Sequence, residues 1–301
     1  MRNRRTAVLG GSGFIGRYVV QRLAARGDVV PVGCRHAEEA KFLMTLGNVG
    51  QIAAVNIAIN ALVNCVGILQ EAGSQTFERA HHLGPARMAR LAREAGIERL
   101  VHISAIGADL RSPSAYARTK AAGEAAVRDA FPTATILRPS VVFGPEDQFF
   151  NRFAAIAMIS PALPLIGGGR TRFQPVYVGD VADAVLKCLD DPATAGRTYE
   201  LGGPRIYTFR ELLELLLGEI RRKRLLIGLP FGAAAFQARL MSILPNPPLT
   251  PDQVELLKRD NVVSSGALTL ATLGISATAV EGILPSYLDR FRRGGWYARR
   301  A

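Results

Sequence analysis

Seven residues restrict the fold more than any other part of the chain: Gly10-Gly11-Ser12-Gly13-Phe14-Ile15-Gly16, entered from the short apolar run Thr6-Ala7-Val8-Leu9. Beyond them Ile15, Val19 and Leu23 recur every four residues, the spacing of one buried helix face, and carry a predicted helix to about residue 26. A strand, a tight turn and a helix in that order open a parallel α/β unit. Gly10 permits the turn, Gly13 leaves room for a pyrophosphate to reach backbone N–H groups, and Gly16 lets the helix pack close to the sheet. Ser12, Phe14, Ile15 and Arg17 share the turn and the start of the helix, and join the three glycines as expected dinucleotide contacts. The spacing is GxxGxxG, and thirty glycines in 301 residues give such spacings by chance. The strand-turn-helix context is what makes this one a candidate site.

The end of the next strand, Val29-Val30-Pro31-Val32-Gly33-Cys34, bears on the choice of nucleotide. An acid there binds the ribose 2′-hydroxyl of NAD, whereas an arginine accommodates the 2′-phosphate of NADP. Arg35 and His36 follow the strand and the nearest acid, Asp28, precedes it. Arg35, helped by Arg17 and His36, therefore favours NADP(H), with a solvated surface arginine as the bland alternative.

A helix over 37–46 and strands over 51–57 and 61–67 come next. Ala58-Ile59-Asn60 reaches only about 10 Å fully extended, too little for the dozen-residue crossover that parallel neighbours need. The expectation is a further helical crossover that the sequence lacks, with a break or disorder around 54–61. A helical region over 76–94, bent at Pro85, and a strand over 100–104 complete a doubly wound α/β pattern.

Bulk properties narrow the class. A 49% hydrophobic composition supports a sizeable core and excludes disorder. Cys34, Cys65 and Cys188 are widely spaced and lack a CxxC pair, so neither a disulfide framework nor a metal site is expected. Basic Met1-Arg2-Asn3-Arg4-Arg5 stands directly before the first strand, which leaves no room for a leader in the chain as given. The apolar runs 153–169 and 225–238 are too short, or too broken by proline, to span a bilayer. The net charge is +12, and residues 205–301 carry 14 basic against 8 acidic side chains.

The chemical motif is Tyr116-Ala117-Arg118-Thr119-Lys120. Positions i and i+4 share a helix face, so the lysine ammonium can lower the phenol's pKa and hydrogen-bond a nicotinamide ribose. As a bland alternative, the pair is a core tyrosine beside a solvated lysine. Following the glycine turn, the motif resembles the short-chain dehydrogenase/reductase superfamily, in its extended or atypical branch. Leu137-Arg138-Pro139-Ser140-Val141-Val142-Phe143-Gly144-Pro145, Pro175-Val176-Tyr177-Val178-Gly179-Asp180-Val181-Ala182 before a helix, and Tyr199-Glu200-Leu201-Gly202-Gly203-Pro204 agree. More narrowly, Asn64-Cys65-Val66-Gly67-Ile68-Leu69, His102-Ile103-Ser104-Ala105-Ile106-Gly107-Ala108, Arg128-Asp129-Ala130-Phe131-Pro132 and the run from Phe143 to Asn151 resemble the dehydrogenase-like accessory subunits of respiratory complex I and their bacterial relatives.

That resemblance implies a Rossmann-type doubly wound parallel sheet over 1–145. Residues 146–301 would form a mixed region that returns to the core at about 171–204 and ends in a smaller, basic helical lobe at about 205–301. It implies tightly held NADPH, with Asn56, Val66, Gly67, Ser104, Pro139, Ser140 and Val141 added to the nucleotide contacts and Tyr116 and Lys120 as catalytic or ribose-holding groups. Asn56 is the nearest stand-in for the acid the family uses at adenine. The family's catalytic Ser or Thr after the 100–104 strand falls at Ile106, with Ser104, Ser112 and Ser114 as possible substitutes. An accessory or assembly role with a structural nucleotide is therefore implied, beside other complex I subunits near the membrane-arm junction. The location would be the cytoplasmic face of a bacterial inner membrane, or the matrix side in an organelle. The alternative is a soluble NADP-dependent oxidoreductase or epimerase with Tyr116 as acid/base.

In the basic lobe, a helix over 208–220 with Leu212, Leu213, Leu216 and Leu217 as its apolar face ends in Arg221-Arg222-Lys223-Arg224, and the apolar run 225–241 follows. Basic residues beside a non-spanning apolar segment fit a membrane-surface or partner contact. A solvated helix end followed by a core helix fits equally. The tail 290–300, with Trp296 and Tyr297, repeats the basic-aromatic combination, and no nucleic-acid-binding motif accompanies it.

Overall fold

The computed structural model describes residues 4–33, Thr45, 60–242 and 247–293. Arg35, His36, Asn56, the expected elements over 37–46 and 51–57, and residues 54–59 of the expected chain break lie outside the described residues, as do Trp296 and Tyr297.

The chain divides into two compact units. The first comprises Met1–Pro139, Val178–Leu201 and Ser265–Ser276, and the second Ser140–Tyr177, Gly202–Ser264 and Ala277–Ala301. The observed division falls at Pro139/Ser140 where the sequence suggested 145, and the return is Val178–Leu201 where it suggested 171–204. Ser265–Ser276 also belongs with the first unit, because Leu268 bridges Tyr199 in parallel and accepts the Glu200 N–H at 2.8 Å.

The first unit is built on a parallel sheet. Strands β1 (Thr6–Leu9), β2 (Val32–Gly33), β3 (Ala61–Asn64), β4 (Arg99–Ile103) and β5 (Thr135–Pro139) are joined by Thr198–Leu201, which pairs with β5 at one edge. Across the sheet the order is Thr198–Leu201, β5, β4, β3, β1, β2, every pair parallel. Register aligns Ala7, Leu62 and Leu100 on one face and Val8, Val63 and Val101 on the other, all buried. Burial on both faces requires helices on both sides. Ala7, Leu62 and Leu100 pack with Met88, Ala89 and Ala92 of α2 (Gly84–Glu94) and Val127 of α3 (Ala115–Ala130). Helix α1 (Phe14–Ala25) packs against helix Val178–Asp190, which buries Val181, Val185 and Leu189. The fold is thus α/β and doubly wound, of Rossmann type. Val178-Gly179-Asp180-Val181-Ala182, expected to precede a helix, is itself that helix's beginning. The helical region 76–94 changes character at residue 84, where a π-helical turn, Glu78–Leu83, gives way to α2. Pro85 is tolerated there because the first turn of a helix needs no N–H from it.

The chain runs from β1 to β2 on one side of it and to β3 on the other. The crevice at the carboxyl ends of β1 and β3 is the switch point where such sheets take ligands.

In the second unit a core of Phe143, Phe150, Phe173, Phe209, Leu212, Leu213 and Leu216 is closed by short strand pairs. Helix Phe209–Glu219 starts in a capping box made by Thr208 and Glu211. Buried Asp147 accepts N–H bonds from Gly144, Phe150 and Asn151 and a 2.6 Å bond from the Tyr287 hydroxyl. The run after the basic cluster is a strand, Leu225–Leu229, parallel to Ala162–Ile166, followed by helix Phe231–Met241. It is neither one core helix nor wholly a surface segment: Ala234 and Ala238 are buried, while Leu225, Ile227, Phe236 and Leu240 are exposed. No helix among the described residues is long and apolar enough to cross a membrane.

Candidate functional site

The glycine turn has the geometry its sequence demands. Gly10 sits at φ +74°, and its Cα faces the backbone of Cys65 and Val66, so that a β-carbon would lie 3.1 Å from Cys65 C and Val66 N. The Gly13 N–H closes the turn on Gly10 O at 3.0 Å. Gly16 permits the closest approach, since a β-carbon there would stand 2.1 Å from Gly10 O. Gly13 caps α1 with no side-chain acceptor, and α1 has no acid in its first turn. The opening N–H groups of a twelve-residue helix are thereby left to an anion. Phe14 and Ile15 are half-buried, and Arg17 Nη2 donates to Ser12 O at 3.3 Å.

Opposite the turn runs the loop after β3. Its amides are held one by one: Cys65 N–H by Leu9 O, Val66 N–H by Asn64 Oδ1 at 3.1 Å, and Ile68 N–H by His81 Nε2 at 3.0 Å. Accepting at Oδ1 turns the Asn64 amide N–H toward His102 Nδ1, 3.0 Å away. His102 therefore accepts at Nδ1 and carries its proton on Nε2. Burial, reinforced by Lys120, His81 and Arg128, pushes its pKa down to about 3, so the ring is neutral.

Helix α3 brings Tyr116 and Lys120 to this loop. Ser114 caps the helix by accepting the Ala117 N–H at 3.2 Å. Lys120 is buried, and its Nζ donates to Ile103 O at 3.3 Å and lies 5.9 Å from the centre of the Tyr116 ring. A β-carbon on Gly67 would come within 3.3 Å of that ammonium. Burial lowers the Lys120 pKa to about 8 against the opposing pull of Glu124 and Cys65. Desolvation in turn lifts the partly covered Cys65 thiol to about 12. Helix α3 thus sets a buried ammonium beside a half-exposed tyrosine ring.

At the position where the family resemblance expects a second donor for carbonyl chemistry the chain has Ile106. Ile106 is buried and its N–H is bound to Pro139 O at 3.0 Å. Ser112 and Ser114 are buried in the approach to α3, with Ser112 Oγ accepting the Ser114 N–H. Among the described residues Ser104 Oγ, which is buried, has no hydrogen-bond partner, and neither has His102 Nε2. Two residues apart along one strand direction, Ser104 and His102 face the same side of the sheet.

Of the expected contacts, the structure brings together the glycine turn, Val66, Gly67 and Lys120. Pro139 ends β5, while Ser140 and Val141 belong to the second unit, where both bind Asn261: Ser140 Oγ lies 2.6 Å from Asn261 Oδ1, which also accepts the Val141 N–H. Sequence reading missed His81, His102 and the buried ion pair of Glu124 with Arg138, two bonds of 2.8 and 2.7 Å. No spacing rule marks these residues, though a buried-strand histidine between Val101 and Ile103 was a signal. Among the described residues no group of three His, Cys, Asp or Glu side chains is placed to hold a metal ion.

An uncapped helix N-terminus, a glycine turn at the switch point and a tyrosine–lysine pair one loop away are the features of α/β folds of the dinucleotide-binding class. Residues 6–202 match the NAD dependent epimerase/dehydratase family, and the chain belongs to that family. It is 37% identical to the mitochondrial NADH dehydrogenase [ubiquinone] 1 alpha subcomplex subunit 9 of Arabidopsis thaliana, over 96% of this chain and 78% of that protein. It is 27% identical to a ceramide reductase of Caulobacter vibrioides, over 96% of this chain and 95% of that one. Among solved structures, MoeE5 in complex with UDP-glucuronic acid and NAD superposes with a TM-score of 0.71 at 17% identity, covering 96% of this chain and 99% of the other, which speaks to fold alone.

Proposed function

We propose that this chain is an accessory or assembly subunit of respiratory complex I that holds NADPH as a structural ligand. The observation that carries the reading is Ile106, a buried aliphatic residue at the place of the second hydrogen-bond donor, in a chain 37% identical along its length to a complex I subunit. Loss of one oxyanion donor typically costs about 10²–10³ in rate. The glycine turn and the first N–H groups of α1 take the pyrophosphate, Lys120 and Tyr116 the nicotinamide ribose, and Arg35 the 2′-phosphate. A bound nucleotide stabilises the folded chain by mass action, which gives it a purpose without turnover. Partners are other complex I subunits near the membrane-arm junction, on the cytoplasmic face of a bacterial inner membrane. Exposed Leu225, Ile227, Phe236 and Leu240, close in sequence to Arg221-Arg222-Lys223-Arg224, supply a surface for that contact.

A second reading, an NADP-dependent oxidoreductase or epimerase with Tyr116 as acid/base, is favoured by the intact tyrosine–lysine pair and by the reductase among the relatives. Two variants separate them. Tyr116→Phe removes the acid and keeps the ring, and Gly13→Val blocks the pyrophosphate. The structural reading expects Tyr116→Phe to leave complex I assembly and respiration intact while Gly13→Val destroys both. Loss of function in Tyr116→Phe with NADPH still bound overturns it.

A further inference from the structure

The wall between the glycine turn and Lys120 is the loop Cys65-Val66-Gly67-Ile68, and its far end is held by a histidine side chain. His81 comes from the π-helical turn Glu78–Leu83, whose backbone is pressed against α3: a β-carbon on Gly123 would lie 1.8 Å from His81 O. π-Turns gather at functional sites because the extra residue re-aims a side chain. Here the re-aimed side chain is an imidazole, 1% exposed, that touches three elements at once.

Its hydrogen bonds fix its tautomer. The Thr119 hydroxyl donates to Ala115 O at 2.8 Å, so at 3.3 Å it accepts from His81 Nδ1–H. Nε2 is left as the acceptor for the Ile68 N–H at 3.0 Å. The ring is stacked on Phe77 with centroids 5.4 Å apart, and meets the Tyr116 ring edge-on at 5.1 Å. One side chain thus ties the end of the loop to the helix that carries Tyr116 and Lys120. The loop has little slack: its Cys65 and Val66 backbone lies 3.1 Å from a β-carbon position on Gly10 at one side, and a β-carbon added to its Gly67 would come 3.3 Å from Lys120 Nζ at the other.

We propose that His81 is a positioning residue for the dinucleotide: its neutral ring pins the Ile68 amide and braces Tyr116, and so sets the width of the cleft between the glycine turn and Lys120. The proposal rests on the nucleotide reading above for its ligand, and on this geometry for the pin. The charged and titratable groups around the ring are Tyr116, Lys120, His102 and, one turn along α3, Glu124. Burial and the Lys120 charge hold the His81 pKa down to about 3, so the acceptor persists across the neutral range.

The test uses three variants of the full chain. His81→Phe keeps the ring contacts and removes both hydrogen bonds, His81→Gln restores an acceptor at the reach of Nε2, and Thr119→Val removes the group that selects the tautomer. Without ligand, amide exchange at Ile68 should rise at least tenfold in His81→Phe, return close to the parent in His81→Gln, and be intermediate in Thr119→Val. Exchange in Ala61–Asn64 and Arg99–Ile103 should stay unchanged. NADPH should bind about tenfold more weakly to His81→Phe than to the parent, the loss expected of one ordinary hydrogen bond, with most of it regained in His81→Gln. Unchanged Ile68 exchange in His81→Phe overturns the pin. Faster exchange with unchanged NADPH affinity overturns the positioning role. If His81→Phe does not fold, Thr119→Val and His81→Gln decide by the same two measurements. A parent protein that binds no dinucleotide refutes the nucleotide reading and with it the positioning role, while Ile68 exchange still decides the pin.

Discussion

Helix α3 buries two opposite charges one turn apart, and the chain treats them in opposite ways. Glu124 receives two bonds from Arg138, a third arginine contact from Arg128 at 3.8 Å, and has Glu200 held nearby through the same Arg138. Lys120 receives a backbone carbonyl and the neighbourhood of a tyrosine ring, beside two neutral histidines. The first charge is finished by the fold. The second bonds the carbonyl of Ile103, and the residues on either side of it, His102 and Ser104, have a buried polar atom each, Nε2 and Oγ, with no hydrogen-bond partner among the described residues. Buried polar groups without partners cost free energy unless something else meets them. On the proposed reading, stability therefore concentrates at the Glu124 end and ligand contact at the Lys120 end.

Breaking the finished end should have the largest effect. Arg138→Met strands a carboxylate that is 2% exposed, and removal of one partner of a buried pair costs about 3–5 kcal/mol. Arg128 softens the loss, so the lower figure is expected, read as a fall in the urea midpoint at unchanged slope. Nucleotide affinity per folded molecule should stay the same. A midpoint shift below about 1 kcal/mol would mean that the two ends do not differ in kind.

The open end should respond through ligand more than through fold. In Gly13→Val the first added carbon meets only Gly10 O, at 3.2 Å, so the apo protein should lose little stability. The parent should gain about 2.7 kcal/mol at NADPH a hundredfold above its dissociation constant, and the variant should gain none. Gly16→Ala makes the contrast, because its added carbon at 2.1 Å from Gly10 O disrupts the turn with or without ligand. Thermal denaturation with and without NADPH separates the two glycines.

Acid sharpens the same difference. His81 and His102, held near 3 in the folded chain, regain an ordinary histidine pKa on unfolding. The unfolded chain then binds more protons, so the stability from keeping them neutral is full above about pH 6.5 and is lost as pH falls toward 3. The loss should be on the order of 1–2 kcal/mol per histidine by pH 5. It should shrink when His81→Gln and His102→Gln are combined, compared by urea denaturation at pH 7 and pH 5.

How much of this was legible in the sequence follows from how local each signal is. Gly10, Gly13 and Gly16 act within seven residues and Tyr116 and Lys120 within one helical turn, so the motif carries its own geometry. The short continuous apolar runs in Thr6–Leu9 and Ala61–Asn64 likewise fitted strands buried on both faces. Glu124 and Arg138 lie on different elements, and only the pairing of β5 beside β4 brings them together. His81 escaped because a π-turn breaks the 3.6-residue count by which a helix face is read. The return of Ser265–Ser276 to the first unit depends on an isolated bridge between Tyr199 and Leu268, a contact without any sequence period.

Lys120→Met should change stability least and binding most clearly in the opposite sense. In the folded chain the lysine titrates near 8, below its ordinary 10.5, because burial disfavours the ammonium. The charged form is thus a burden on the fold at neutral pH. Its contribution to stability is full above 10.5 and is lost as pH falls through 8. Methionine of similar length carries no such burden, so Lys120→Met should match or exceed the parent by less than about 1 kcal/mol at pH 7. The parent should recover ground on the variant between pH 8 and 10.5. NADPH affinity should fall in the variant, since the donor beside the ribose is gone. A protein that becomes both less stable and no weaker in NADPH binding would show that Lys120, like Glu124, belongs to the fold.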